Sequence, residues 1–162
     1  TIAPWTAGLR LQEKNQMITD TQWLMRALVA ELDQAGIADD VAAPNVTTYD
    51  AALDSLREYP QRVIFILPGA VNMEHDVQGG HPVKAILTRE VTLFISAGGD
   101  MDTANRMTDD VLRVLTWSSL GYAGRIICKP RQAAPLPIVW EDAPGRAVWS
   151  MTVDVTSLEN EF

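Results

Sequence analysis

The stretch Val83-Lys84-Ala85-Ile86-Leu87-Thr88-Arg89-Glu90-Val91-Thr92-Leu93-Phe94-Ile95-Ser96 decides the fold. Its odd positions Val83, Ala85, Leu87, Val91, Leu93 and Ile95 are apolar, and its even positions Lys84, Thr88, Glu90, Thr92 and Ser96 are polar. Period two marks a strand with one buried and one wet face. Gly98-Gly99-Asp100 interrupts it, and from Asp102 the period becomes 3.6. Met107, Val111, Val114 and Leu115 then share one face of a helix predicted from about Asp102 to Ser119. A strand followed by a helix on its apolar face is half of a two-layer α+β domain.

Working back toward the N-terminus, Val63-Ile64-Phe65-Ile66-Leu67 is a short apolar run between Arg62 and Pro68. Its length and β-branched content predict a strand covered on both faces. Residues 68–82 are rich in glycine and polar side chains and read as a loop. Asp50 is placed to cap a short helix from Ala51 to Glu58, which Pro60 closes off. Before it, Thr19 or Asp20 caps a longer helix with the stripe Leu24, Leu28, Leu32 and Ala35, and Gly36 supplies its stop. Residues 1–14 have no clean period and read as an N-terminal arm. Trp5, Leu9 and Leu11 on such an arm are costly in water unless they dock. The arm either packs on its own domain's flank or crosses to a neighbouring subunit.

Toward the C-terminus, Arg125 to Lys129 reads as a short strand. Pro130, Pro135 and Pro137 predict a rigid, irregular loop. Ile138-Val139-Trp140-Glu141 and Ala147 to Thr156 flank the turn cluster Asp142-Ala143-Pro144-Gly145 and predict a C-terminal β-hairpin. Trp149, Met151, Val153 and Val155 alternate with Ser150, Thr152, Asp154 and Thr156. The expected fold is therefore α+β: a two-layer domain with a mostly antiparallel sheet, packed by two main helices. Residues 1–14 form the arm, 15–156 a single domain and 157–162 a short acidic tail.

The 162 residues are 47% apolar, and 21 acidic side chains against 13 basic ones give a net charge of −8. Such a balance is poorly suited to gripping nucleic acid through its phosphates. Cys128 is the lone cysteine, so no internal disulfide forms, and its setting in Ile126-Ile127-Cys128 predicts a buried structural thiol. No stretch approaches the roughly 20 apolar residues of a helical membrane span. The N-terminus has neither the basic region nor the apolar core of a signal peptide.

Residue chemistry offers no catalytic constellation. His75 and His81 lie near Glu74 and Asp76, but without metal-ligand spacing, and read as solvated. Gly98-Gly99-Asp100 resembles a phosphate loop only in its glycines, because Asp100 and Asp102 put negative charge where a phosphate would sit. Gly79-Gly80 has no partner motif. Ser118-Ser119 lack a nearby histidine, and Asp109-Asp110 fall on the outer face of their helix. The expectation is a protein without catalytic, cofactor-binding or metal residues. Among five tryptophans, Trp23, Trp117, Trp140 and Trp149 sit where core packing accounts for them. Trp5 does not, and is expected at an interface together with Leu9 and Leu11.

The order of elements resembles that of the tail terminator and tail-completion proteins of tailed bacteriophages. The matching pieces are the helix segment Leu24 to Leu32, the step Tyr59-Pro60-Gln61-Arg62 into Val63 to Leu67, and the strand Arg89 to Ile95. The helix around Val111 to Leu115 and the closing strand Trp149 to Val155 complete the match. The likeness lies in layout across roughly residues 20–156; the arm and the proline-rich loop have no place in it. It implies a non-enzymatic virion protein assembled in the host cytoplasm, forming a ring, commonly a hexamer, at the head-proximal end of the tail tube. Its implied partners are further copies of itself, the tail tube protein and the head-side connector or adaptor. DNA would pass through the lumen without specific binding, and no membrane is involved. Two other readings stay open: another neck, adaptor or tube subunit, and a small α+β ligand-binding domain or enzyme.

Overall fold

A computed structural model describes residues 20–57, 61–78, 81–98, 101–136 and 146–160. Among these residues three helices and five strands follow one another as α1 (Thr21–Gln34), β1 (Asp40–Ala42), α2 (Tyr49–Leu56), β2 (Val63–Gln78), β3 (His81–Ala97), α3 (Met101–Thr116), β4 (Ile126–Pro135) and β5 (Ala147–Asn160). The strands form one sheet in the order β1-β2-β3-β5-β4. Only β1 and β2 run parallel; the other pairs are antiparallel. The fold is the expected α+β sheet with two main helices.

Strand alternation and helix stripes meet on one face. Leu24, Leu28 and Leu32 of α1 and Met107, Val111 and Leu115 of α3 pack on Ile64, Ile66, Val91, Leu93, Ile95, Met151 and Val153. Asp20 caps α1 by accepting a hydrogen bond from the Trp23 amide at 2.7 Å. Gly36, at φ +69°, ends it in the left-handed conformation that glycine tolerates. The opposite face has its own smaller core, where Ala52 and Leu56 of α2 cover Val63, Phe65, Leu67, Phe94 and Val148. Val63 to Leu67 is thus buried on both faces, as its unbroken apolar character predicts. Tyr49 sets its ring edge-on to Phe94 with centroids 6.0 Å apart, and its hydroxyl lies 3.2 Å from that of Thr92. The helix starts at Tyr49, not Ala51, because the Thr48 side chain is the cap and accepts from the Ala51 amide.

Three expectations are corrected. Residues 68–82 are not a loop: β2 runs to Gln78 and pairs with β3 back to His81. One extra residue in β2 between Pro68 and Val71 forms a bulge opposite Glu90. Before it the even residues Ile64 and Ile66 pack under α1 and α3; after it the odd residues Val71 and Met73 stand on that same side of the sheet. The bulge reverses the alternation. Second, β4 extends through Pro130 to Pro135. Proline is tolerated because β4 is an edge strand, with a second bulge between Pro130 and Gln132. Third, the chain from Ser157 to Asn160 is no tail but the end of β5, with Ser157 and Glu159 buried. The first arm of the C-terminal hairpin is β4; Ile138 to Glu141 lies outside the described residues, as does Trp140.

The second bulge has a consequence on the open face of the sheet. Glu90 and Asp154 lie directly opposite each other in β3 and β5, a like-charge pair. The extra residue in β4, Arg131, reaches across to Glu90 at 2.9 Å and Asp154 at 3.5 Å. Replacing Arg131 by alanine restores the repulsion. The expected loss of stability is about 0.5–1 kcal/mol, small because the groups are partly solvated, and it shrinks as salt rises from 0.05 to about 0.5 M. Urea denaturation at several salt concentrations measures it.

Candidate functional site

The described residues do not gather into a reaction centre. Glu74 and His75 are successive residues of β2 and point to opposite sides of the sheet. His81 lies in β3, paired with Gln78 at the hairpin end. No group of three or more His, Cys, Asp or Glu side chains among the described residues is placed to hold a metal ion. Ser118 accepts a hydrogen bond from the Leu120 amide at 3.1 Å, a turn contact. Asp109 is exposed, and Asp110 pairs with Arg113 at 3.0 Å. Gly79-Gly80 and Gly99-Asp100 lie outside the described residues.

A shallow cleft of about 460 Å³ opens between the end of α1, the start of β2 and α3. Its charged lining is already engaged. Arg62 clasps Asp39 at 3.0 Å, and Arg106 donates to the Thr103 hydroxyl at 3.4 Å. The Arg62 hydrogen bond holds the Asp39 carboxyl below its ordinary range, assisted by the Arg62 backbone amide. That pair fastens the entry of β1 to that of β2 and leaves no acid–base couple facing the cleft.

Cys128 is buried, and burial pushes its thiol up to about 11, with the negative charge of Glu31 adding to the shift. A group whose folded pKa is raised holds its proton longer in the native state than in the unfolded one. Its stabilising contribution is complete below the unfolded value of 9.0 and is lost as pH rises through about 11. The native thiol is therefore expected to react with a maleimide or aromatic disulfide at pH 8 at least about 100-fold more slowly than in urea-unfolded chain. Reaction at the unfolded rate would overturn the assignment of a structural thiol.

What the fold does offer is unpaired strand and exposed apolar surface. On the outer side of β2, β1 covers only Val63 to Phe65. Among the described residues no strand pairs with that side from Ile66 to Gln78. β4 forms the other edge, but it carries Pro130, Pro135, a bulge and the exposed Lys129 and Arg131. These devices blunt an edge against pairing. β2 from Val71 to Gln78 contains no proline, and Val71 and Met73 stand on the helix side 47% and 45% exposed. On the open face Ile86 sits opposite Leu158, with the 64%-exposed Ile127 in the neighbouring strand.

Trp117, expected in the core, is instead 86% exposed. It follows the last turn of α3, two residues past Leu115. That spacing turns it about 200° away from the buried stripe. Trp23 in α1 and Trp149 in β5 are instead partly buried against the main core. Trp5, Leu9 and Leu11 lie outside the described residues. Ile86, Ile127 and Trp117 were legible only as members of core-like segments, and Val71 and Met73 only as part of the stretch 68–82 that reads as a loop. No protein-family model matches this chain, and no curated protein matches it.

Proposed function

We propose that this protein is a structural component of a tailed-phage virion that closes the head-proximal end of the tail tube as a ring and offers a face to the head-side connector. The observation that carries the assembly reading is the unequal treatment of the two sheet edges. A chain with one open edge and one blunted edge favours contacts between different surfaces of successive copies. Repeated head to tail, such contacts close into a ring when the rotation per copy divides the circle. The order of elements, with its likeness to tail terminators, supports the specific role. In this reading the partners are further copies, the tail tube protein and the connector, and DNA traverses the lumen without being gripped.

Light scattering of the purified protein across concentration and salt, with negative-stain images of the same samples and of mixtures with preformed tail tubes, tests the proposal. The expected result is a closed ring of about six copies, either free or only on tube ends. Open stacked filaments would identify a tube subunit instead. A monomer that ignores tube ends would return the chain to the class of small binding domains.

A further inference from the structure

Arg146 is a cation taken out of water without a counter-charge. It is 8% exposed, at the point where the chain enters β5. Its Nη1 donates to the Ser96 hydroxyl oxygen at 2.8 Å. Ser96 is completely buried, opposite Val63 of β2 and Val148 of β5, two members of the small cluster under α2. The guanidinium therefore stands at the end of an apolar core. No carboxylate among the described residues forms an ion pair with it, whereas the far more exposed Arg62, Arg113 and Arg131 have Asp39, Asp110 and Glu90. Burial pushes the Arg146 guanidinium below its ordinary pKa, but at neutral pH it keeps its charge. Burying an ion is costly unless a counter-charge or further hydrogen bonds replace its hydration.

The donors left over show what would replace it. A guanidinium carries several N–H donors, and Ser96 engages only Nη1. The other nitrogens of Arg146 are not fully enclosed, so a ligand reaches them from solvent. The Ser96 oxygen accepts from Arg146, so its own hydroxyl hydrogen is still to be given, and no acceptor among the described residues takes it. A charged fork and a neutral O–H thus stand side by side without an acceptor. A carboxylate matches them: it is planar, takes two parallel N–H bonds and carries one negative charge. A phosphate dianion would leave a negative charge unmatched beside an apolar core, in a chain of net charge −8. We propose that Arg146 and Ser96 form a carboxylate-binding site, in which the guanidinium fork and the Ser96 hydroxyl donate to the ligand's oxygens. The carboxylate belongs to a free organic acid or to an Asp or Glu side chain of an adjoining copy. The site stands independently of the tail-tube reading.

Sodium acetate is the probe, exchanged for sodium chloride at constant ionic strength while NMR follows the Ser96 and Val148 amides and the Arg146 Nε–H group. The expected result is a saturable shift of these signals, with Tm raised by about 3 °C at about 0.2 M acetate. Ser96→Ala and Arg146→Lys should each weaken acetate about tenfold or more, the first by removing a donor and the second by removing the fork. An equal response to chloride, or to phosphate at the same ionic strength, would overturn the carboxylate assignment. Acetate shifts scattered over the surface, with Ser96 and Val148 unmoved, would overturn the site. That measurement uses the unsubstituted protein, so it decides the matter even where a variant does not fold. The source is read in acetate-free buffer. Shifts of the same amides that grow with protein concentration, and that acetate reverses, support the site with an adjoining copy's carboxylate as its ligand. A response to acetate without any dependence on protein concentration supports it with a free acid.

Discussion

Replacing Leu93 by alanine is expected to lower the unfolding free energy by about 3 kcal/mol, within the 2–5 kcal/mol usual for a leucine cut back in a core. Leu93 is completely buried in β3, flanked by β2 and β5, and belongs to the cluster under α1 and α3. Its loss removes apolar contact and leaves a cavity that neighbouring strands on both sides keep from collapsing. In urea the midpoint should fall while the slope stays constant, since the same surface is exposed on unfolding. A loss below about 1 kcal/mol would mean that the helix layer is not seated on the sheet as described.

Phe65→Ala is expected to cost a similar amount, about 3–4 kcal/mol, but with a different signature. Phe65 is 2% exposed and faces the other way, into the small cluster under α2. That helix spans only Tyr49–Leu56, far below the length at which an isolated helix holds in water. It is helical because Ala52 and Leu56 have a surface to cover. With that surface hollowed, amide exchange over Tyr49–Leu56 should speed up by orders of magnitude while α1 and α3 remain protected. Loss of protection in all three helices together would show the two clusters to be one cooperative unit.

Why some elements were legible in the sequence and others were not follows from the same residues. Leu87 to Ile95 and Trp149 to Val155 alternate because one side of each strand meets the helices, so their period survives in the sequence. The hairpin beyond Pro68 was hidden because the bulge resets the alternation within three residues, and glycine there reads as a loop. Gly69 in fact sits where a Cβ would come within 3.0 Å of the Glu90 carbonyl oxygen, so close approach to β3 accounts for it. β4 was shortened by the prolines that an edge strand accepts, because proline reports missing hydrogen bonds without telling which side of the sheet lacks them. The end of β5 looked like a tail because acidic residues are usually solvated, whereas Glu159 is buried and accepts from the Ser157 hydroxyl at 3.2 Å. The candidate assembly surface was least legible of all. An exposed apolar residue in a strand carries the same letter as a buried one, and only the third dimension separates Met73 from Met151.

The position of β5 between β3 and β4 also bears on how the polypeptide is made. β2 and β3 are neighbours in the chain and can zip together as soon as both leave the ribosome. β5 is the last described strand to be synthesised, yet it is the one that joins β4 to the rest of the sheet. Until it emerges, β3 and β4 each present a bare edge, and the helix layer has only part of its floor. A nascent chain stalled before Ala147 is therefore a sticky intermediate, the kind that chaperones must shield. Completion of the sheet therefore waits until β5 has been made.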